Sequence, residues 1–139
     1  YVKPHGALYN DIIKNSVLFE AVIDGVSCFN VPLMTLALND NQTLLDIADK
    51  FEVPLLFEAF ADRRYLANGQ LAPRSTPGAV IDDREGILDQ VRQIAHYGKV
   101  RTIDGYSIPI EADTICVHGD NPQAIELIAL IRQQLEIEE

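Results

Sequence analysis

Apolar residues along this chain fall into short dense blocks separated by amphipathic stretches, and the two kinds alternate nearly to the end. The dense blocks predict strands. Residues 31–38 (Val-Pro-Leu-Met-Thr-Leu-Ala-Leu), 53–57 and 114–117 are almost continuously apolar, the pattern of parallel strands covered on both faces. Tyr1-Val2 read as the last residues of a further strand. Between these blocks the helical period of about 3.6 residues returns. It predicts a short helix over 7–14 with Leu8, Ile12 and Ile13 apolar. A second helix spans 17–29, capped by Asn15 or Ser16, with Leu18, Val22, Val26 and Phe29 facing the core. After the turn Asn39-Asp40-Asn41 a third runs to about Phe51, burying Leu44, Leu45, Ile47 and Ala48. Asp82 or Asp83 caps a fourth, which carries Ile87, Leu88, Val91, Ile94 and Ala95 and stops at Gly98. Residues 100–110 predict a hairpin turning at Asp104-Gly105. Pro122, following Asn121 as N-cap, opens a last helix to about Leu135 on Ile125, Ile128, Ala129, Ile131 and Leu135, with the acidic tail 136–139 fraying. Residues 66–80 lose all period; Asn68-Gly69, Pro73 and Pro77-Gly78 mark a long irregular connection, of the kind that is functional or disordered.

Strands alternating with helices specify an α/β fold with a mainly parallel sheet, either open and doubly wound or part of a β/α barrel. A length of 139 residues suits one domain or a portion of a larger one. Because the chain opens on Tyr1 inside a strand pattern, residues 1–139 are expected to be the later portion of a longer protein. Charge narrows the partners. Lys and Arg number 11 against 21 Asp and Glu, a net charge of −10, which argues against a nucleic-acid or anionic-membrane surface because neutralising phosphates takes clustered cations. No apolar run approaches the ~20 residues that span a bilayer, and no signal-peptide pattern opens the chain. Cys28 and Cys116 sit among apolar neighbours and read as small buried hydrophobes, with no CxxC pair. A cytoplasmic protein is expected.

The chemistry-bearing residues cluster where each strand pattern ends: Lys3/His5, Glu58/Asp62/Arg63 and His118/Asp120/Asn121. In α/β folds the carboxyl edge of the sheet is where sites form. His5, between Pro4 and Gly6, has the type of a general base or metal ligand, and Lys3 that of a carbonyl-polarising cation. Glu58 follows four apolar strand residues; facing inward, it would suit acid/base work, and its plain alternative is a salt bridge to Arg63 or Arg64. Asp62-Arg63 reads as an internal ion pair that positions Arg63 to grip a substrate carboxylate. In His118-Gly119-Asp120 a strand delivers an imidazole with Asp120 in reach to orient it, whereas Asn121 reads as a helix cap alone. His96 reads as an ordinary helix C-terminal His. No P-loop, GxGxxG or GxSxG is present, and three histidines with one on a helix leave a metal site short of ligands.

Four of these stretches, 2–10 (Val-Lys-Pro-His-Gly-Ala-Leu-Tyr-Asn), 58–63 (Glu-Ala-Phe-Ala-Asp-Arg), 77–81 (Pro-Gly-Ala-Val-Ile) and 116–122 (Cys-Val-His-Gly-Asp-Asn-Pro), occur in this order. Together they resemble the LamB/YcsF lactam-utilization family over essentially the whole chain. The family's N-terminal part, with an Asp strand motif and a His-Ala-Gly-Asp motif, has no counterpart here. The resemblance implies the C-terminal part of a distorted β/α barrel similar to the glycoside hydrolase/deacetylase superfamily. It also implies ATP-dependent opening of the lactam ring of 5-oxo-L-proline to L-glutamate, shared with B and C partner subunits. His5 then falls at the middle-strand His of the site, and His118 resembles the late acid/base His of the deacetylases. The family assigns no certain role to Glu58, Asp62 or Arg63. On the chemistry of lactam opening alone, His5 and His118 would share nucleophile activation and nitrogen protonation, Lys3 would serve the carbonyl oxygen, and Arg63, with Asp62 and Asp120, the substrate. Two rivals stand beside this reading: a divalent-metal-dependent deacetylase or hydrolase that uses His5 as a ligand, and a catalytically inert fragment. Unpaired sheet edges and exposed apolar faces would make the chain self-associate into a homo-oligomer or bind partners.

Overall fold

A computed structural model describes residues 1–136. Its elements, in chain order, are α1 (Ala7–Asp11), α2 (Ser16–Ser27), β1 (Leu33–Leu36), α3 (Gln42–Lys50), β2 (Leu55–Phe60), α4 (Arg84–Tyr97), β3 (Lys99–Arg101), β4 (Ser107–Pro109), β5 (Thr114–Cys116), α5 (Pro122–Glu126) and α6 (Ile128–Glu136). β1, β2 and β5 form a parallel sheet in that order. Val2 extends it: its N–H donates to Pro32 O at 2.9 Å and its carbonyl accepts from Met34 at 2.8 Å, parallel to Leu33. The fold is therefore α/β with a parallel sheet, as expected, and that sheet does not close into a barrel among the described residues. β3 and β4 pair antiparallel through the turn at Gly105, whose φ of 88° is in the left-handed region.

Two apolar clusters hold the layers. The larger packs Phe19 and Ile23 of α2 and Leu44 of α3 against Leu33, Leu36 and Phe57 of the sheet. The smaller seats Ile87 and Val91 of α4 on Leu127, Ile131 and Ala61. Burying a Leu or Ile contributes about 1.5–3 kcal/mol, so these faces decide which stripe of each helix turns inward. In α2 that stripe is Phe19, Ile23 and Val26; Leu18 and Val22 are half-buried and Phe29, beyond the helix end, is 72% exposed. Adjacent apolar residues at 18/19 and 22/23 make the two stripes equivalent by period. Asn15 caps α2, its side chain accepting from Val17 and Leu18. Asp83 caps α4 and Gly98 ends it at φ 60°, as predicted.

Four further expectations are corrected. β2 runs to Phe60 and includes Glu58, because that carboxylate finds polar partners inside the sheet face. The last helix breaks at Leu127: Leu127 and Ile131 turn in, while Ile125, Ile128 and Leu135 stay near half exposed and Ala129 is exposed. β5 is only half-buried, since it forms the sheet's outer strand. Cys28 is exposed at the end of α2, not buried. The fraying expected of the tail past residue 136 lies outside the described residues. No helix among the described residues is long and apolar enough to cross a membrane.

Candidate active site

Side chains alternate across a strand, so Glu58, Phe60 and Asp62 share one face of β2 and its continuation. Ala59 and Ala61 between them are fully buried on the other side, in the helix-packed clusters. Parallel pairing with β5 sets Glu58 against Thr114 and Phe60 against Cys116. Two residues further along both strands, Asp62 meets His118. The site is thus a direct consequence of register.

His118 Nδ1 lies 2.7 Å from Asp62 Oδ1. The other oxygen, Oδ2, accepts from the Asn121 amide at 3.1 Å, and that amide also donates to Ile81 O at 3.2 Å. Asp62 is 1% exposed. Burial pushes its pKa up, but the hydrogen bond and charge of His118, joined by the Asn121 amide, outweigh this and hold it below the ordinary carboxylate value. A buried carboxylate on Nδ1 fixes the imidazole's orientation and directs Nε2 away from it. The ring of His118 stacks on Phe60, centroids 5.2 Å apart and planes 18° from parallel, which locks the same geometry.

The second cluster lies on the other side of Phe60 in sequence. Lys3 Nζ donates to Glu58 Oε2 at 3.0 Å, and the Tyr9 hydroxyl donates to Oε1 at 2.7 Å. Glu58 therefore pairs with Lys3 and Tyr9, not with Arg63 or Arg64. Burial first, then the hydrogen bond to Glu58 and its charge, push the Tyr9 hydroxyl far above its ordinary pKa, so Tyr9 remains a donor. Tyr9 meets Phe60 edge-on at 6.1 Å, and Lys3 Nζ is 5.4 Å from the Tyr9 ring centroid. Tyr9, Phe60 and His118 thereby join the two clusters into one wall.

Beside Asp62 a cleft of about 200 Å³ opens, lined by Arg63, Arg74, His118, Asp120 and Asn121 among others. Arg63 is buried; one terminal nitrogen donates to Ala72 O at 2.7 Å and its Nε has no acceptor among the described residues. The expected Asp62–Arg63 ion pair is absent among the described residues, because both oxygens of Asp62 serve His118 and Asn121. Asp120 does not orient the imidazole either: it bridges Arg74 at 3.3 Å on the cleft rim. Asn121, expected only as a cap, is a donor to the Asp62 carboxylate. His5 is exposed and makes no hydrogen bond or ion pair among the described residues. No group of three or more His, Cys, Asp or Glu among them could hold a metal ion, so His5 has no such set to join there.

Two contributors escape sequence reasoning. Tyr9 is legible only as a helix residue; its distance in sequence from Glu58 hides the pairing. Gln90 is buried on α4, its amide donating to Phe60 O and Arg63 O at 2.7 Å each while its oxygen accepts from Arg64. Its signal is present in the chain, a polar residue on the stripe of Ile87, Val91 and Ile94. Tyr65 adds a further brace, its hydroxyl accepting from Phe60 N at 3.0 Å. These bonds pin the segment that carries Asp62.

Known proteins resemble this chain along its whole length. The profile of the LamB/YcsF family matches residues 1–139. An A subunit of 5-oxoprolinase from Vibrio cholerae serotype O1 is 68% identical over 136 residues, covering 98% of this chain and 55% of that protein. Another 5-oxoprolinase A subunit, from Pseudomonas aeruginosa, is 48% identical over 138 residues, again 98% of this chain and 55% of the relative. The crystal structure of a lactam utilization protein from Thermus thermophilus superposes with a TM-score of 0.81 at 34% identity, over 96% of this chain and 54% of that one. The chain spans about half the length of the curated relatives it matches.

Proposed function

The chain belongs to the LamB/YcsF family, and on that footing we propose that it works within an ATP-dependent 5-oxoprolinase that opens the lactam of 5-oxo-L-proline to L-glutamate. The observation that carries the assignment of roles is the His118–Asp62 pair on the cleft. Opening a lactam adds a water oxygen to the carbonyl carbon, breaks the C–N bond and places a proton on the departing nitrogen. His118, held through Nδ1, has Nε2 free of the Asp62 contact to take a proton from water and return it to nitrogen. Lys3, anchored by Glu58, supplies positive charge for the carbonyl oxygen. Glu58 acts by holding Lys3, and Asp62 by orienting His118. Arg63 is assigned the substrate carboxylate, with Asp120 on the rim setting the position of Arg74. His5, exposed past the strand end at Val2, is assigned the second proton-handling role.

An unactivated amide is a stable bond, which is the chemical reason for coupling to ATP; B and C subunits are proposed to carry most of the nucleotide chemistry. The test is glutamate release from 5-oxoproline and ATP by the assembled enzyme. His118→Ala is expected to lower turnover on the order of 10²–10⁴-fold, the range of a lost acid/base group, and His5→Ala to lower it less. Near-normal turnover in His118→Ala would overturn the assignment.

A further inference from the structure

Arg63 and Arg74 line a second cavity as well as the cleft. Its volume is about 340 Å³, and its walls come from Lys14, Arg63 and Arg74 together with Asn10, Gln70 and neighbouring apolar residues. No acidic side chain lines it, in a chain whose net charge is −10. Asp62 is taken up by His118 and Asn121, and Asp120 pairs with Arg74 at 3.3 Å from the cleft side, so Lys14 and Arg63 are the lining cations with no ion pair among the described residues. Arg63 is 8% exposed, and its buried Nε has no acceptor among the described residues. A buried donor without a partner is costly, and an anion that reached this nitrogen would remove the cost. Burial and then the charge of Arg74 hold Arg63 below its ordinary pKa, a repulsion that an anion would also relieve.

We infer that this cavity binds a phosphate group. Three cations and two amide side chains suit a tetrahedral dianion with several acceptor oxygens better than a carboxylate with two. The inference does not depend on lactam chemistry, although free phosphate is a product of the ATP-coupled reaction proposed above. Both arginines face the two cavities, so substrate carboxylate and phosphate would share one pair of guanidinium groups.

The test is calorimetric titration of the full gene product carrying this chain, at low ionic strength, with inorganic phosphate, ATP and acetate in separate arms. Saturable phosphate binding that weakens as sodium chloride is added is expected, with acetate at least tenfold weaker. The double variant Lys14→Gln/Arg74→Gln, at exposed positions, should lose at least tenfold in affinity. ATP binding tighter than phosphate would assign the site to the nucleotide's phosphates; phosphate matching ATP would assign it to the free ion. Absence of saturable binding in both arms, or equal affinity in the double variant, would overturn the inference. Lys14→Gln alone should weaken phosphate binding and leave the KM for 5-oxoproline unchanged. Binding is read without turnover, so failure of the lactam reading and failure of the phosphate site are separate results.

Discussion

At the scale of the residue, Asp62 carries the most inference per atom. A buried carboxylate should resist ionisation, yet its contacts with His118 and Asn121 reverse the sign. Its folded pKa lies below the unfolded value of 3.8, so its stabilising contribution is fully present above that value. The contribution is lost only as pH falls through the lower, folded pKa. Asp62→Asn keeps the shape and removes the charge; it is expected to cost about 1–3 kcal/mol at neutral pH. Urea unfolding at a series of pH values should show the gap between parent and variant constant down to about pH 4 and closing below it. A gap that stayed fully open well below the carboxylate range would contradict the pairing. In the assembled enzyme the same variant should lower kcat far more than it changes KM, the outcome expected of the role proposed for Asp62 in orienting His118.

At the scale of the element, β2 shows both what the sequence makes legible and what it hides. The alternation Glu58-Ala59-Phe60-Ala61-Asp62 is written in the chain, and small residues at 59 and 61 against large polar ones at 58 and 62 already imply two unlike faces. The period also finds α3, α4 with its Asp83 cap and Gly98 stop, the β3–β4 hairpin, and the parallel sheet. It misplaces the end of β2, because a Glu after an apolar run reads as a strand terminator, though Lys3 and Tyr9 satisfy Glu58 inside the strand. It pairs Asp62 with Arg63 and Asp120 with His118 for the same reason: sequence neighbours are visible and sheet register is not. The remote braces are the least visible, and Gln90 tests how much they matter. Gln90→Leu keeps the volume of the α4 stripe and strips donors from Phe60 O and Arg63 O. The expected loss is about 2–3 kcal/mol, roughly two hydrogen bonds with their acceptors left buried, seen as a lower urea midpoint. Turnover should fall too, since the segment bearing Asp62 loosens. A midpoint within error of the parent would show that α4 holds that segment by apolar packing alone.

At the scale of the molecule, the sheet has β5 on one side and only the short bridge from Val2 beyond β1 on the other. Both outer edges thus present backbone donors and acceptors with little pairing among the described residues, a template for another strand. Exposed apolar side chains add to this, Ile125 and Ile128 on α5–α6 and Tyr1 and Val2 beside the sheet. A charge of −10 opposes association by mutual repulsion. The two forces respond differently to salt. At 0.1 M the Debye length is about 10 Å and at 1 M about 3 Å, so added salt suppresses the repulsion while leaving edge pairing and apolar contact in place. Self-association of the 139-residue chain is therefore expected to increase with sodium chloride, measured by sedimentation velocity at several concentrations. Association that weakened with salt would point to ion pairs as the cause and remove the sheet edges from the explanation. A monomer at every salt concentration would mean that the repulsion is not what limits pairing, and that the short strands and their twist protect these edges by themselves.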